Sequence, residues 1–233
     1  MKIIFLNTWQ GKMKLAIKGF LDKEFKNTDI FCFQEVSPNF FKEIVTFLPQ
    51  HTGFYEAGRT LALDNQIYGQ AIFIRKNFEL EKSGRVKLYY QLKDDIGFLQ
   101  YQLLDIGRKK LWLGNVHGKT KPGTKHNTKT RLKQSERIIN FFKDKEGPKI
   151  FGGDFNLNPD TKSIKMFEEA GYRNLIRDFD IKNTRNKLSW DQFNNVQYFA
   201  DYVFVSPEVI VKSFEVPYNE ISDHLPLILN FEI

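Results

Sequence analysis

Lys2-Ile3-Ile4-Phe5-Leu6 and Ile30-Phe31-Cys32-Phe33 flank a segment, Met13 to Phe25, whose apolar residues Met13, Ile17, Phe20, Leu21 and Phe25 recur at helical spacing. The two short runs carry no polar alternation, the pattern of strands covered on both faces. Ser37 is placed to cap a second helix that opens at Pro38, with Phe41, Ile44, Val45 and Leu48 as its inner face. Strand, helix, strand, helix predicts a layered α/β fold.

Downstream the pattern changes. Gly69 to Ile74, Arg85 to Tyr90, Phe98 to Leu104 and Lys110 to Val116 read as strands of an antiparallel meander, joined by Gly- and Asp-containing turns. Gly118 to Asn127, rich in Gly, Lys, Thr and Pro, reads as a loop. Helices are expected at Thr130 to Lys143, with Leu132, Ile138, Ile139 and Phe142 inside, and at Ser163 to Ala170, ended by Gly171. Lys149 to Phe151 is a brief strand. Tyr198 to Val205, Val209 to Val216 and Leu225 to Phe231 return to strand character. No repeat and no linker divides the chain, so one domain spanning residues 1–233 is expected.

Composition narrows the classes. The chain has 233 residues and 41% hydrophobic content, sufficient for a sizeable core. Its 23 Phe fall mostly inside strand-like or helix-like runs and read as core. A formal charge of +7 favours polyanionic partners, although the dispersed lysines also suit an ordinary solvated surface. The one cysteine, Cys32, lies in an apolar run and excludes an internal disulfide. No stretch approaches the roughly 20 apolar residues of a membrane span, and the start does not read as a signal peptide. A cytoplasmic location is the expectation.

The chemistry-bearing residues sit at strand ends. Asn7 follows the first run and Glu35 the second; either alone would pass for a turn or surface residue. Gly152-Gly153-Asp154-Phe155-Asn156 is more specific, because two glycines allow a sharp turn with close backbone approach. There the Asp suits a base or metal ligand, and the Asn amide suits donation to a phosphate oxygen. Asp223-His224 precedes the last strand, Asp201 is placed to orient that imidazole, and His117 closes another strand. His51 and His126 carry no assigned role.

Phe5-Leu6-Asn7-Thr8-Trp9, Phe33-Gln34-Glu35-Val36, Gly114-Asn115-Val116-His117, Gly153-Asp154-Phe155-Asn156, Ala200-Asp201-Tyr202 and Ser222-Asp223-His224 together resemble the ordered motifs of the endonuclease/exonuclease/phosphatase superfamily. The resemblance runs from the first strand to the last. It implies a DNase I-like four-layer α/β sandwich, two mixed sheets face to face with helices outside. It also implies a Mg²⁺-dependent hydrolase of phosphate esters, with Mn²⁺ as a possible substitute. By this resemblance Glu35 is the metal-binding glutamate, with Asn7 and Asp223 near the metal. Asp154 orients or deprotonates the attacking water, Asn156 holds a phosphate oxygen, and His224, partnered by Asp201, contacts phosphate or acts as base. His117 stands where DNase-like and sphingomyelinase-like members carry His and abasic endonucleases carry Tyr. Trp9 stands where abasic endonucleases commonly carry Asp, and both departures weigh against that subfamily.

Substrate choice belongs to loops. Lys119 and its basic neighbours up to Lys133 follow His117 directly, and Arg131 and Arg185 are further candidates for substrate contact. Arg131 and Gln134 also match a family Arg and Gln and could support the site instead. The leading expectation is a nuclease or nucleic-acid phosphodiesterase. The alternatives are a phosphohydrolase of a lipid head group or sugar phosphate and, remotely, a non-catalytic binding module.

Overall fold

The computed structural model describes residues 1–60, 67–90, 96–107, 109–193 and 196–233. Twelve strands fall in the described residues and form two six-stranded sheets. In the first, the order is β11 (Ile210–Glu215), β12 (Leu227–Glu232), β1 (Lys2–Asn7), β2 (Ile30–Val36), β4 (Ile67–Arg75) and β3 (His51–Thr60). In the second, it is β5 (Glu79–Tyr90), β6 (Ile96–Asp105), β7 (Lys110–His117), β8 (Lys149–Asp154), β10 (Asp201–Val205) and β9 (Arg173–Asn174). β1 and β2 pair in parallel, as do β7 and β8; the remaining pairs are antiparallel.

Alternation explains why β1 and β2 read as unbroken apolar runs. Ile3, Phe5, Ile30 and Cys32 join the core shared with the second sheet. Their neighbours Ile4, Leu6, Phe31 and Phe33 pack outward with helices α1 (Lys14–Glu24) and α2 (Pro38–Phe47). Side chains of a strand point to opposite faces in turn, so a doubly covered strand has no polar side. On the far side, α3 (Lys129–Lys143) and α4 (Lys162–Glu169) supply Ile138, Phe142, Ile164 and Phe167 to the same core as Phe151 and Phe204. The four-layer α/β sandwich expected from sequence is the observed architecture. The short helices α5 (Leu175–Asp178) and α6 (Lys187–Phe193) lie in the long connections around β9 and β10.

Three local expectations change. The run Gly69 to Ile74 leaves the meander: it is β4, paired with β2 and β3 in the first sheet, and only β5, β6 and β7 form the meander. β3 gave no signal in the sequence, because an edge strand with Gly53 and Gly58 lacks clear alternation. In α2, Ser37 caps as expected, its Oγ accepting from Phe40 N at 3.2 Å. The buried stripe, however, is Phe40 and Ile44, and Val45 is 44% exposed. No helix among the described residues is long and apolar enough to cross a membrane.

Candidate active site

The parallel pairs β1–β2 and β7–β8 end at the same edge of the sandwich, and their carboxyl ends carry Asn7, Glu35, His117 and Asp154. That edge is where α/β sheets bind ligands. A bulge between Phe33 and Val36 displaces Glu35 from the ladder and sets it at φ 54°. An extra residue in one strand re-aims a side chain without ending the sheet. Asn7 is tied in place by its own turn, Oδ1 accepting from Trp9 N at 3.0 Å. Its Nδ2 then donates to Glu35 Oε1 at 3.3 Å and to Asp154 Oδ2 at 3.1 Å, drawing the two carboxylates together.

On β8 the glycines do what the sequence suggested. Gly153 has φ +123°, and a Cβ there would lie 2.3 Å from Val116 O on β7. The chain beyond turns on Ala200 O, which accepts from Phe155 N at 2.8 Å and Asn156 N at 3.1 Å. Asn156 N also donates to Asp154 Oδ1 at 2.9 Å, fixing the carboxylate's direction. Beneath this turn a buried amide network joins the sheets. Gln34 Nε2 donates to Asn115 Oδ1 at 2.6 Å, Asn115 Nδ2 donates to Phe33 O at 3.0 Å, and Gln70 Nε2 donates to Asn115 O at 2.6 Å. Buried amides bonded across the sheets in this way fix one relative placement of the layers.

Asp201 sits opposite Asp154 in the β8–β10 register. His224 Nδ1 lies 2.9 Å from both Asp201 oxygens, and Thr184 Oγ1 donates to Asp201 Oδ2 at 2.9 Å. The other ring nitrogen, Nε2, faces Asp154 Oδ2 at 3.8 Å. Burial works to lower the His224 pKa, but Asp201, Asp223 and Asp154 overcome it and hold it above the ordinary histidine value. Burial likewise works to raise the Asp154 pKa, yet His224, Lys125, His117 and Arg185 together hold it at about 2. Asp154 is therefore a carboxylate at neutral pH, and the acidic neighbours of His224 favour its protonated form.

Among the described residues His117 Nε2 is buried with no hydrogen-bond partner, 3.6 Å from Glu35 Oε1 and 3.8 Å from Asp154 Oδ2. Ligand atoms of Glu35, His117 and Asp154 all lie within 4.8 Å of one another. The two convergent carboxylate oxygens of Glu35 and Asp154 suit a hard divalent cation, and the His117 ring nitrogen stands beside them. A cavity of about 690 Å³ opens over Glu35 and Asp154, lined also by Trp9, Lys12, Lys125, Asn156, Arg185, Asp223 and His224.

Most of the residues singled out from sequence thus converge: Asn7, Glu35, His117, Asp154, Asn156, Asp201, Asp223, His224 and Arg185. Asp223 reaches the cavity, but its Oδ2 accepts from Arg185 Nη2 at 2.7 Å. Two residues do not converge. Arg131 has no exposed surface, and its guanidinium donates to the carbonyls of Lys119, Thr120, Pro122 and His126. It shapes the loop rather than lining the cavity. Lys119 lies away from the cavity lining, its ammonium 5.2 Å from the Tyr89 ring centroid. The sequence marks Lys125 only as one of the basic residues after His117 and Thr184 only as a phosphate contact beside Arg185; the bond of Thr184 to Asp201, that of Lys125 to Asn156 and the amide network were not foreseen. It also gave no hint that Trp9, Gln10, Glu35, Lys125 and Asn156 all have φ between 47° and 61°. All five line the cavity, so left-handed backbone strain gathers at the site.

A family model described as the endonuclease/exonuclease/phosphatase family matches residues 12–224. Among solved structures, an endonuclease/exonuclease/phosphatase from Bacteroides vulgatus is 19% identical with a TM-score of 0.78, covering 100% of this chain and 98% of that one. A mannosyl-6-phosphatase of Bacteroides thetaiotaomicron is 18% identical with a TM-score of 0.75, covering 100% of both chains. D. rerio TDP2, complexed with a single-strand DNA product, is 16% identical with a TM-score of 0.79, covering 100% of this chain and 99% of that one. Among curated protein sequences the chain finds no significant match.

Proposed function

This chain belongs to the endonuclease/exonuclease/phosphatase family, hydrolases of phosphate esters, and on that premise we propose that it is a Mg²⁺-dependent phosphodiesterase acting on nucleic acid. The observation that carries the reading is the convergence of Glu35, His117, Asp154 and His224 within 4 Å contacts at one cavity floor. Glu35, with Asp154 drawn to it by Asn7, would hold the Mg²⁺ or a substituting Mn²⁺, which would neutralise charge on the phosphoryl and leaving oxygens, while Asp223 is engaged by Arg185.

The protein's own groups do the rest. Asp154 orients the attacking water through its carboxylate. With a pKa of about 2 it is a weak proton acceptor at neutral pH, so direction is its main contribution. The water oxygen bonds to phosphorus in line with the departing ester oxygen. His224, held at Nδ1 by Asp201, donates from Nε2 to a phosphoryl oxygen; Asn156 and His117 complete the donor set around the developing charge. The substrate preference rests on the rim. Lys12 Nζ sits 4.4 Å from the Trp9 ring centroid, and Lys121 lines the same cavity, with Arg185 buried deeper in its wall against Asp223. An aromatic face among cations suits a base beside a phosphate.

The test is a panel of single- and double-stranded DNA and RNA, p-nitrophenyl phosphate, mannose 6-phosphate and sphingomyelin, each with Mg²⁺, Mn²⁺ or EDTA. Cleavage of nucleic acid with either metal, none with EDTA, and affinity falling steeply with salt are expected. Turnover restricted to the sugar phosphate or lipid would reassign the substrate. Binding with no hydrolysis of any ester would make the chain a binding module.

A further inference from the structure

Lys125 is a lysine placed where a lysine is expensive. It belongs to the loop between β7 and α3, yet it is only 3% exposed. Three contacts hold it there. Arg131 gathers the carbonyls on either side, Thr128 Oγ1 caps α3 by accepting from Arg131 N at 3.1 Å, and Lys125 O accepts from Asn158 N at 2.9 Å. The backbone at Lys125 is left-handed, φ 56°, which a long side chain does not favour. Strain and burial are both accepted in order to bring this ammonium against the active-site turn.

There Lys125 Nζ donates to Asn156 Oδ1 at 3.0 Å, its only side-chain acceptor among the described residues. An ammonium has three donors, so two remain for the cavity that Lys125 lines with Asp154 and His224. The bond also decides which way Asn156 faces. With Oδ1 occupied, Nδ2 is left with a long 3.4 Å contact to Gly118 O and can be given to a ligand. Burial lowers the Lys125 pKa to about 8, opposed by Asp154 and Asp201 and reinforced by Arg185 and Arg131. The group thus stays mostly charged at neutral pH.

We propose that Lys125 is a phosphate-binding cation of this site: its ammonium donates to a non-bridging phosphoryl oxygen and, by holding Asn156 Oδ1, turns Asn156 Nδ2 toward the same phosphate. The proposal rests on the phosphoesterase reading and adds to it a residue that touches substrate. A lysine kept only for packing would need neither the inward ammonium nor the strained backbone.

Calorimetric titration with inorganic phosphate, with Mg²⁺ and with EDTA, tests this without requiring turnover. Lys125→Met removes donor and charge. Lys125→Gln keeps a donor for Asn156 but no charge. Lys165→Met, on the exposed face of α4, is the charge-matched control. Both Lys125 variants are expected to weaken phosphate binding at least ~10-fold, and to lower kcat/KM on the best ester of the panel about 100-fold, with melting temperatures near that of the wild type. Lys165→Met should stay within twofold. Wild-type phosphate affinity in folded Lys125→Gln would overturn the proposal while leaving the phosphoesterase reading intact. A wild-type protein that neither binds phosphate nor hydrolyses any ester would remove both.

Discussion

The cavity floor and the cavity rim are made of different material. Asp154, Asp201 and His224 on the floor are 1%, 1% and 3% exposed, and each is bonded to another buried polar group. At the rim, Trp9 is half-buried, and Lys12 and Lys121 stand in solvent. Charges on the floor interact where water screens poorly, so each one is tuned by its neighbours and removal of one strands the others. Charges at the rim are screened within about 8–10 Å at physiological salt and act nearly independently. On the proposed reading, the floor would set whether a phosphate ester is cleaved and the rim which one is held.

The largest effect should follow a change on the floor. Asp154→Asn removes the negative charge that His224, Lys125, His117 and Arg185 all face, while keeping the shape. We expect kcat to fall at least ~1,000-fold with KM changed only a few-fold, measured on whichever ester the panel identifies. A fall below tenfold in a folded variant would take Asp154 out of the reaction and level the difference between floor and rim. The next largest effect acts on the floor's scaffold. At Gly153 a methyl group must meet Val116 O on the neighbouring strand in a left-handed backbone, whereas at Gly107, φ +79°, it meets open space. Gly153→Ala should cost about 3 kcal/mol in urea unfolding, and Gly107→Ala about 1 kcal/mol. Equal losses would mean that strain alone, and not the close approach of β7 to β8, makes the glycine necessary.

The floor was legible in the sequence for the same reason it is rigid. Asn7, Glu35, His117 and Asp154 each end an apolar run, and two parallel strand pairs bring such ends to one edge. The ordered motifs then identified the fold. What escaped notice depends on distances that spacing does not encode. For Arg131 the sequence left substrate contact and support of the site both open, and only the folded loop, whose carbonyls take up its guanidinium, decides for support. Lys125 reads like the exposed lysines around it. Left-handed backbone is foreseeable at Asn156, a residue type that tolerates it, but not at Trp9, Gln10, Glu35 or Lys125. β3 was invisible because its glycines make room for neighbouring rings: a Cβ at Gly53 would lie 2.5 Å from the Phe73 side chain.

The rim should give the smallest effects, and their form matters more than their size. Trp9→Ala removes a ring that can stack on a base, a contact worth about 1–3 kcal/mol, so KM for nucleic acid should rise ~10-fold with kcat unchanged. Glycerol phosphate, which has no base, should show no change. Lys12→Ala removes one screened cation, and KM should rise about threefold at low salt, with the slope of affinity against salt falling by about one. The two residues touch, with Lys12 Nζ 4.4 Å from the ring, so the double variant is the informative measurement. If the losses add, each residue holds the substrate separately. If the double variant is no worse than Trp9→Ala, Lys12 acts only by positioning the ring. A large drop in kcat from either change would show that the rim shares in the chemistry, and the division between holding and cutting would have to be redrawn through Trp9, whose backbone N–H is already bonded to Asn7 Oδ1.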